Sequence, residues 1–439
     1  MNHTTQNKLN NEKMIKVSTF QVDCTPPAGS MIGLVPGSKA RAANDPLYMR
    51  AVVLDCDGEI SILAALDYCA LLNNSYDDFR YAIANAVNAD AGRIIIHCVH
   101  QHDAPLVDFQ ATKYIGEENY YSRTWFNSVI KKCGEAARVS LRNAVKVKKI
   151  GYSETRLHGY ASNRRIKLPD GSVQMRSSRC SDKSIKSMPT GIIDPMLRTI
   201  AFTGSEDRII ASMSFYATHP QTCNEGKNFS ADAPGEALSL LKNDYPESMH
   251  IFCTGAAGNV GVGKYSSPNN LDGNKRHFGF LLANTIAHNL QSLRYRDANE
   301  ATWSQISFPF PVKSLDRGKM VEEISSPETP LVRKISNIAI LCCDDYHHKP
   351  DYIIRLFNIS GVKLLFLAGE PFVEYQIYVQ SLIPDEFIAV AANCCDNFLY
   401  LPTSDAISTG YESNFFCRTT SEFEHMFKSA AKKLLIETT

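Results

Sequence analysis

The sequence of 439 residues has no excess of either charge, because 46 Lys and Arg are balanced by 46 Asp and Glu. Chains that bind nucleic acid usually carry a basic excess or a basic stripe, so this balance argues against a nucleic-acid partner. No stretch approaches about 18 consecutive apolar residues, so we expect no transmembrane segment. The polar first 20 residues also lack the apolar core of a secretory signal, and we therefore expect a cytoplasmic protein.

Cysteine spacings that indicate a structural zinc site are also absent. The thirteen cysteines are scattered along the chain, and no CxxC pair occurs among them. Many of them lie in apolar runs such as LDYCALL and IIIHCVH, where cysteine behaves as a small buried hydrophobic residue. We therefore predict that all thirteen are reduced and structural, as is usual in a reducing compartment.

The chain also lacks the GxSxG turn that presents the nucleophilic serine of many hydrolases. The nearest stretch, TGAAGNVG at residues 254–261, carries alanine and glycine where that serine would stand. A hydrolase with a cysteine nucleophile is an alternative in a chain so rich in cysteine. However, no cysteine lies in an evident nucleophile elbow or at a helix start, where its thiol would be activated.

Segments with the patterns of strands and helices alternate along the whole chain. Apolar residues at helical spacing predict helices near residues 74–88, 120–143, 234–242 and 275–293, and a last helix that runs to about residue 435. Apolar runs bounded by turn residues predict strands, among them a hairpin over 50–55 and 60–66 that turns at Cys56-Asp57-Gly58. We expect an α/β (mixed α+β) fold in which mixed β-sheets are covered by α-helices.

The expected domain organisation is simple. Residues 1–20 are predicted to form a polar N-terminal tail, and residues 21–439 a single large catalytic domain. There is no internal repeat and no low-complexity segment, and the weak boundary is the polar, proline-containing stretch around residues 314–334.

Candidate site residues follow four predicted strands, where a rigid sheet can hold the loops in place. They are His100 and His102, His219, Glu370, and the pair Tyr400 and Tyr411. Side chains two apart in an extended chain point to the same side, so both members of the His pair can face one site, whereas His97 inside the strand is predicted to be structural. Two histidines, a glutamate and one further oxygen ligand suit zinc, so the residues alone support the hypothesis of a mononuclear zinc site.

Eight short segments together resemble the catalytic region of the neutral/alkaline (non-lysosomal) ceramidase family. In the order of that family, from about Asp23 to Tyr411, they are DCTPPAG, NDPLYMRAVVLD, HQHDAP, SNRR, YATHP, SADAPGE, TGAAGNVGVG and AGEP. Each segment alone is weak, but eight in one order are specific for a family. The resemblance implies a Zn²⁺-dependent amidohydrolase that cleaves the amide bond of an N-acyl substrate with metal-activated water.

The resemblance also implies a role for each candidate residue. The four zinc ligands would be His100, His219, Glu370 and Tyr400. The residues that act around the scissile amide would be His102, Arg164 and Tyr411. The sequence does not decide which of the two tyrosines reaches the metal, so their roles could be exchanged.

The sequence departs from the family in two respects. Family members carry a serine in a Gly-Asp-x-Ser segment, whereas this chain reads Gly258-Asn259-Val260-Gly261, so a mechanism that needs that serine is not available. Secreted members also carry a signal peptide and an immunoglobulin-like C-terminal domain, and we expect neither here. We therefore expect a small-molecule N-acyl substrate, either ceramide or a more soluble amide, and make no prediction of oligomeric state. An ester or other acyl hydrolase, or a catalytically degenerate member that binds a ligand, is an alternative.

Overall fold

The computed structural model of the chain describes residues 14–33, 38–223 and 225–437. Within these residues, three mixed β-sheets follow one another along the chain, and helices pack on each of them. The α/β (mixed α+β) fold expected from the sequence is therefore confirmed. No helix of the described residues is long and apolar enough to cross a membrane.

The strands of the first sheet are β1 (Ile15–Asp23), β2 (Tyr48–Cys56), β3 (Glu59–Leu66), β4 (Ile94–Cys98) and β5 (Val145–Lys146). Those of the second sheet are β6 (Lys149–Arg156), β7 (Met196–Thr203), β8 (Ile209–Tyr216), β9 (Met249–Thr254) and β10 (Arg294–Asp297). Those of the third sheet are β11 (Ala301–Pro309), β12 (Asp351–Ile359), β13 (Val362–Phe366) and β14 (Ile388–Ala391). Their spatial orders are β4-β3-β2-β1-β5, β9-β8-β7-β6-β10 and β11-β12-β13-β14.

Short ladders and helices connect these strands. The ladders pair Ala70–Leu71 with Leu106–Val107, Ser162–Asn163 with Val260–Gly261, Arg165–Lys167 with Val173–Met175, and Glu370–Pro371 with Tyr400–Leu401. The helices are α1 (Asn73–Val87), α2 (Thr112–Ile115), α3 (Arg123–Ser140), α4 (Lys183–Ser187), α5 (Asp232–Asp244), α6 (Leu271–Gln291), α7 (Arg317–Ser325), α8 (Leu331–Tyr346), α9 (Val373–Leu382), α10 (Gly410–Asn414) and α11 (Glu422–Lys432).

Each sheet combines antiparallel neighbours with a parallel pair. The parallel pairs are β3 with β4, β8 with β9, and β13 with β14, and the helices α1, α5 and α9 lie between the two strands of each pair in the sequence. A helical crossover of this kind is the usual way in which parallel neighbours are connected. Because parallel strands run in one direction, the loops that follow them lie at the same edge of the sheet.

His97 in β4 links the carboxyl ends of strands from all three sheets. Its ring is buried, Nδ1 lies 2.5 Å from the carbonyl oxygen of Ala392 after β14, and Nε2 accepts a hydrogen bond of 2.9 Å from the backbone N–H of Thr254 in β9. A carbonyl oxygen only accepts, so the proton of the ring is on Nδ1. This histidine joins strands of different sheets, which is the structural position expected for it.

The predicted hairpin is confirmed, although its turn is shorter than expected because Cys56 still belongs to the strand. Strands β2 and β3 pair from Met49 with Leu66 to Cys56 with Glu59. The two turn residues, Asp57 and Gly58, have φ values of 55° and 90°. Two positive φ values are typical of the type I′ turn, whose twist matches that of the flanking strands.

Two of the expected boundaries differ from the structure. The tail predicted over residues 1–20 is wrong from Ile15 onward, because β1 begins there and pairs with β2, and residues 1–13 lie outside the described residues. The side chains of Ile15 and Val17 are buried in the core, which explains why this short segment is ordered as a strand. The weak boundary expected around residues 314–334 contains α7 and the start of α8, so its charged residues form a helix surface. A single domain over residues 21–439 stays a prediction.

All thirteen cysteines lie in the described part of the chain, and none of them is joined to another by a disulfide. Twelve are buried and Cys395 is partly buried. The compartment in which the protein works stays a prediction.

We predict that His250→Gln makes the stability of the protein less sensitive to acid. His250 is 5% exposed in β9, its Nδ1 lies 2.7 Å from Ser212 Oγ in β8, and burial lowers its pKa from 6.5 to about 4. Between these two pH values the unfolded chain binds the proton and the folded chain does not, so this histidine contributes a loss of stability as the pH falls.

Urea denaturation at pH 7 and pH 5 measures this effect. Between pH 7 and pH 5 the free energy of unfolding should decrease less in His250→Gln than in the unsubstituted protein. The control is His277→Gln, a change at an exposed histidine, which should show the same decrease as the unsubstituted protein. Equal falls in the unsubstituted protein and in His250→Gln would contradict the prediction.

Candidate metal centre

The loops that follow one strand of each parallel pair converge on one place. His100 comes two residues after the end of β4, His219 three residues after β8, and Glu370 four residues after β13. Each of the three sheets thus contributes one side chain. The three candidate ligands that the sequence suggested at strand ends are brought together by the fold.

The donor atoms of these residues face one another. Oε2 of Glu370 lies 3.3 Å from Nε2 of His100 and 3.3 Å from Nε2 of His219. The set satisfies the spacing of a metal site, because all its ligand atoms lie within 4.8 Å of one another. Oε2 of Glu370 is buried and forms no hydrogen bond within the residues that the structure describes.

Backbone carbonyl groups fix the protonation of both histidines. Nδ1 of His100 lies 2.7 Å from the carbonyl oxygen of Cys69, and Nδ1 of His219 lies 2.7 Å from that of Ala257. Since a carbonyl oxygen only accepts, and lies nearer to Nδ1 of His100 than the Asn393 amide at 3.3 Å, each Nδ1 carries a proton, and in the neutral ring each Nε2 directs its lone pair towards Glu370. Burial, and after it the charge of Arg164, lowers the pKa of His219 to about 4, so this ring is neutral at pH 7.

Two imidazole lone pairs and a carboxylate oxygen therefore point at one another in a buried place. This arrangement is unfavourable unless a cation lies between them, because all three atoms are electron-rich and shielded from water. The residues present thus fit a metal ion. Neutral imidazole nitrogen and carboxylate oxygen are ligands typical of catalytic zinc.

Tyr400 is the tyrosine that lies beside these donors. The short ladder pairs Glu370 with Tyr400 in register, and the Tyr400 hydroxyl lies 3.4 Å from Nε2 of His219. The ring of Tyr411 packs instead against Phe415 and Phe416, with centroid distances of 5.3 and 5.9 Å. Burial raises the pKa of Tyr411 to about 12, although Arg164 opposes the shift, so its hydroxyl keeps its proton at neutral pH.

Arg164 is held at the centre by a network of buried hydrogen bonds. Its Nη2 donates to the Tyr400 hydroxyl at 2.9 Å and to the carbonyl oxygen of Gly258 at 2.6 Å, and its Nε donates to Oε1 of Glu412 at 2.8 Å. Oε2 of Glu412 accepts from Nη1 of Arg165 at 2.8 Å. Glu412 is fully buried, and its single carboxylate bridges the two guanidinium groups and fixes the orientation of the one that faces the candidate metal centre.

His102 faces the same centre as His100, although the chain between them is not extended. His100 has a φ of 76°, and Nε2 of Gln101 donates to Oδ1 of Asp67 at 3.0 Å. The centroid of the His102 ring lies 5.3 Å from that of His100 and 5.7 Å from that of His219. The expectation that both rings face one site is met, but the left-handed backbone at His100, and not an extended strand, produces it.

Gly258 allows a loop to approach Glu370 closely. A Cβ atom at this position would lie 2.4 Å from the carbonyl oxygen of Glu370, so no other residue fits without a shift of the backbone. The next residue, Asn259, accepts a hydrogen bond of 2.9 Å from the backbone N–H of Val373 and donates one of 2.8 Å to Glu374. The segment that lacks the family's serine therefore serves as a support for the centre.

The sequence did not reveal three neighbours of the centre. They are Cys69, Gln221 and Glu412. The ligand atoms of Cys69, His100 and His102 also lie within 4.8 Å of one another, although the sequence suggested that Cys69 was only a buried hydrophobic residue. Cys69 follows β3, which pairs with β4 in the sheet. A correct prediction of this strand pairing would have placed Cys69 near His100.

Comparison with known proteins finds solved structures with a similar fold. No protein-family model matches the sequence, and no curated protein matches it. Among solved structures, neutral ceramidase from Pseudomonas aeruginosa is similar with a TM-score of 0.69 and 14% identity, over 97% of this chain and 75% of that chain. A ceramidase complexed with C2 is similar with a TM-score of 0.70, at the same identity and coverage. The resemblance found in the eight segments is therefore confirmed at the level of the fold.

We predict that Glu412→Leu lowers the free energy of unfolding by about 3–5 kcal/mol, because it leaves the guanidinium groups of Arg164 and Arg165 buried without a counter-charge. Urea denaturation followed by circular dichroism measures the change. The control is Glu135→Leu, which removes an exposed partner of Arg138 and should change the stability little. Equal effects of the two substitutions would contradict the prediction.

Proposed function

We propose that this protein is a zinc-dependent amidohydrolase that cleaves the amide bond of a small-molecule N-acyl substrate. The observation that carries the proposal is the convergence of His100 Nε2, His219 Nε2 and Glu370 Oε2, three buried atoms with lone pairs directed at one another. The fold shared with ceramidase structures supports the same conclusion.

His100, His219 and Glu370 would hold the zinc ion, and Tyr400 would complete the set with its phenol oxygen. Burial raises the pKa of Tyr400, and Arg164, which donates to its hydroxyl, opposes this shift and so favours the electron density that a ligand oxygen needs. When bound, zinc would act as a Lewis acid and lower the pKa of a water molecule to about 7.

The other side chains of the centre are suited to the charge that develops on the substrate. As the amide carbonyl is attacked, its oxygen gains negative charge. This charge is stabilised by fixed hydrogen-bond donors in a site that excludes water. Arg164 provides a buried, permanent cation, held on its far side by Glu412. Tyr411 provides a protonated hydroxyl, and His102 an imidazole directed at the same centre.

The segment Gly258–Gly261 supports direct hydrolysis over a covalent intermediate. It lies against Glu370 and corresponds to the Gly-Asp-x-Ser segment of the family that the sequence resembles. None of its residues carries a hydroxyl group that could act as a nucleophile. We therefore propose that no acyl-enzyme forms on this segment. The substrate class stays an N-acyl amide, either ceramide or a more soluble compound.

We predict that Tyr411→Phe and Arg164→Ala each lower turnover about 100- to 1000-fold, because each removes a donor to the carbonyl oxygen. Both variants should keep their zinc, since neither removes a proposed ligand. The measurement is steady-state hydrolysis of a panel of N-acyl amides with short and long acyl chains, ceramide in detergent micelles included, with zinc determined by elemental analysis.

The matched control for Tyr411→Phe is Tyr265→Phe, a change at an exposed tyrosine that should leave turnover as it is. Near-normal turnover in both Tyr411→Phe and Arg164→Ala would show that the assigned roles are wrong. Absence of hydrolysis on the whole panel by the zinc-loaded protein would contradict the proposed function itself.

A further inference from the structure

His102 differs from the two other histidines of the centre in what holds its ring. Nδ1 of His100 and of His219 each lies 2.7 Å from a backbone carbonyl oxygen, and the amide nitrogen of Asn393 lies farther from Nδ1 of His100, at 3.3 Å, whereas Nδ1 of His102 lies 3.1 Å from Nε2 of Gln221. The other nitrogen of His102, Nε2, is buried and has no hydrogen-bond partner within the residues described. The protein therefore binds one side of this ring through a single amide and leaves the other side available to the site.

A second contact accompanies this orientation of the Gln221 amide. Its Oε1 accepts a hydrogen bond of 2.9 Å from Oγ of Ser178, which leaves the amide nitrogen to face His102. Ser178 is itself anchored, because its carbonyl oxygen accepts a hydrogen bond of 2.5 Å from Oγ of Ser266. In this orientation the amide nitrogen donates and does not accept, so Nδ1 of His102 is the acceptor and the proton of the ring is on Nε2.

We infer that Gln221 is a positioning residue that holds His102 in the Nε2-protonated tautomer. The consequence is twofold. A nitrogen that carries a proton cannot bind a metal, so Gln221 keeps His102 out of the ligand set although its ring lies close to that of His100. The same N–H donates a hydrogen bond to the carbonyl oxygen of the substrate, so His102 acts as a donor and not as a base at this nitrogen.

The contrast with the metal ligands supports this assignment. At His219 and at His100 a carbonyl oxygen 2.7 Å from Nδ1 takes the ring proton and leaves a lone pair on Nε2, and at His100 this oxygen is nearer than the Asn393 amide at 3.3 Å. At His102 the partner of Nδ1 is an amide N–H, which leaves the proton on Nε2. Neighbouring imidazoles of one site thus receive opposite tautomers from opposite partners. The part of the inference that concerns the substrate rests on the proposed amide hydrolysis, whereas the part that concerns the tautomer does not.

The tautomer is measured by two-bond ¹H–¹⁵N NMR correlation on the zinc-loaded full chain labelled with [¹⁵N]histidine. The signals of His102 are identified by their loss in His102→Asn. We expect a pyrrole-type Nε2 and a pyridine-type Nδ1 in the unsubstituted protein. In Gln221→Met, which keeps the length of the side chain and removes the donor, the proton should move in part or in full to Nδ1.

The control is Gln174→Met, a change at an exposed glutamine that should leave the His102 signals unchanged. A proton on Nδ1 of His102 in the unsubstituted protein, protons on both nitrogens, or the same Nε2-protonated tautomer in Gln221→Met would each overturn the inference. A merely structural role of Gln221 would alter stability without moving this proton.

Kinetics provide the second readout. Gln221→Met should lower kcat about 10- to 100-fold, with the zinc content and KM little changed, as is typical when the partner that orients a site histidine is removed. Unchanged kcat in this variant would overturn the donor role of His102. An Nε2-protonated His102 in a protein that hydrolyses no amide would contradict the proposed function and still support the role of Gln221 in setting the tautomer.

Discussion

Two imidazole nitrogens and one carboxylate oxygen face each other at the candidate metal centre, and the rest of the site depends on this contact. It is unfavourable without a cation, so the fold must hold the three atoms in place. The crossovers through α1, α5 and α9 do so by bringing the carboxyl ends of three parallel pairs to one region. The carbonyl groups of Cys69 and Ala257 then fix which nitrogen of each ligand histidine faces inward.

Much of the fold and of the candidate site could be predicted, because the sequence patterns that indicate them are local. An apolar strand followed within a few residues by a polar side chain that could bind a metal is visible in a single stretch of sequence, and His100, His219 and Glu370 each have that context. The long helices were predictable for the same reason, since one face of α3 repeats its buried residues at helical spacing. The order of the eight segments added the family resemblance, which the shared fold then supported.

The rest depends on residues that are far apart in the sequence. The position of Tyr400 beside His219 depends on the ladder that pairs it with Glu370, and a short ladder of this kind has no pattern of its own. Glu412 is 248 residues from Arg164, so nothing near it indicates that its carboxylate is buried between two arginines. Gln221 follows a turn and has an ordinary polar context, and only its distance to Nδ1 of His102 shows what it does.

X-ray absorption spectroscopy at the zinc edge of the zinc-loaded protein tests the central claim most directly. We expect one zinc per chain with nitrogen and oxygen neighbours only, at about 2.0–2.2 Å, and outer-shell scattering from two imidazole rings. His100→Ala and His219→Ala should each lose the ion. A sulfur neighbour at about 2.3 Å would identify Cys69 as a ligand, scattering from three imidazole rings would add His102, and either result would contradict the ligand set proposed for this centre.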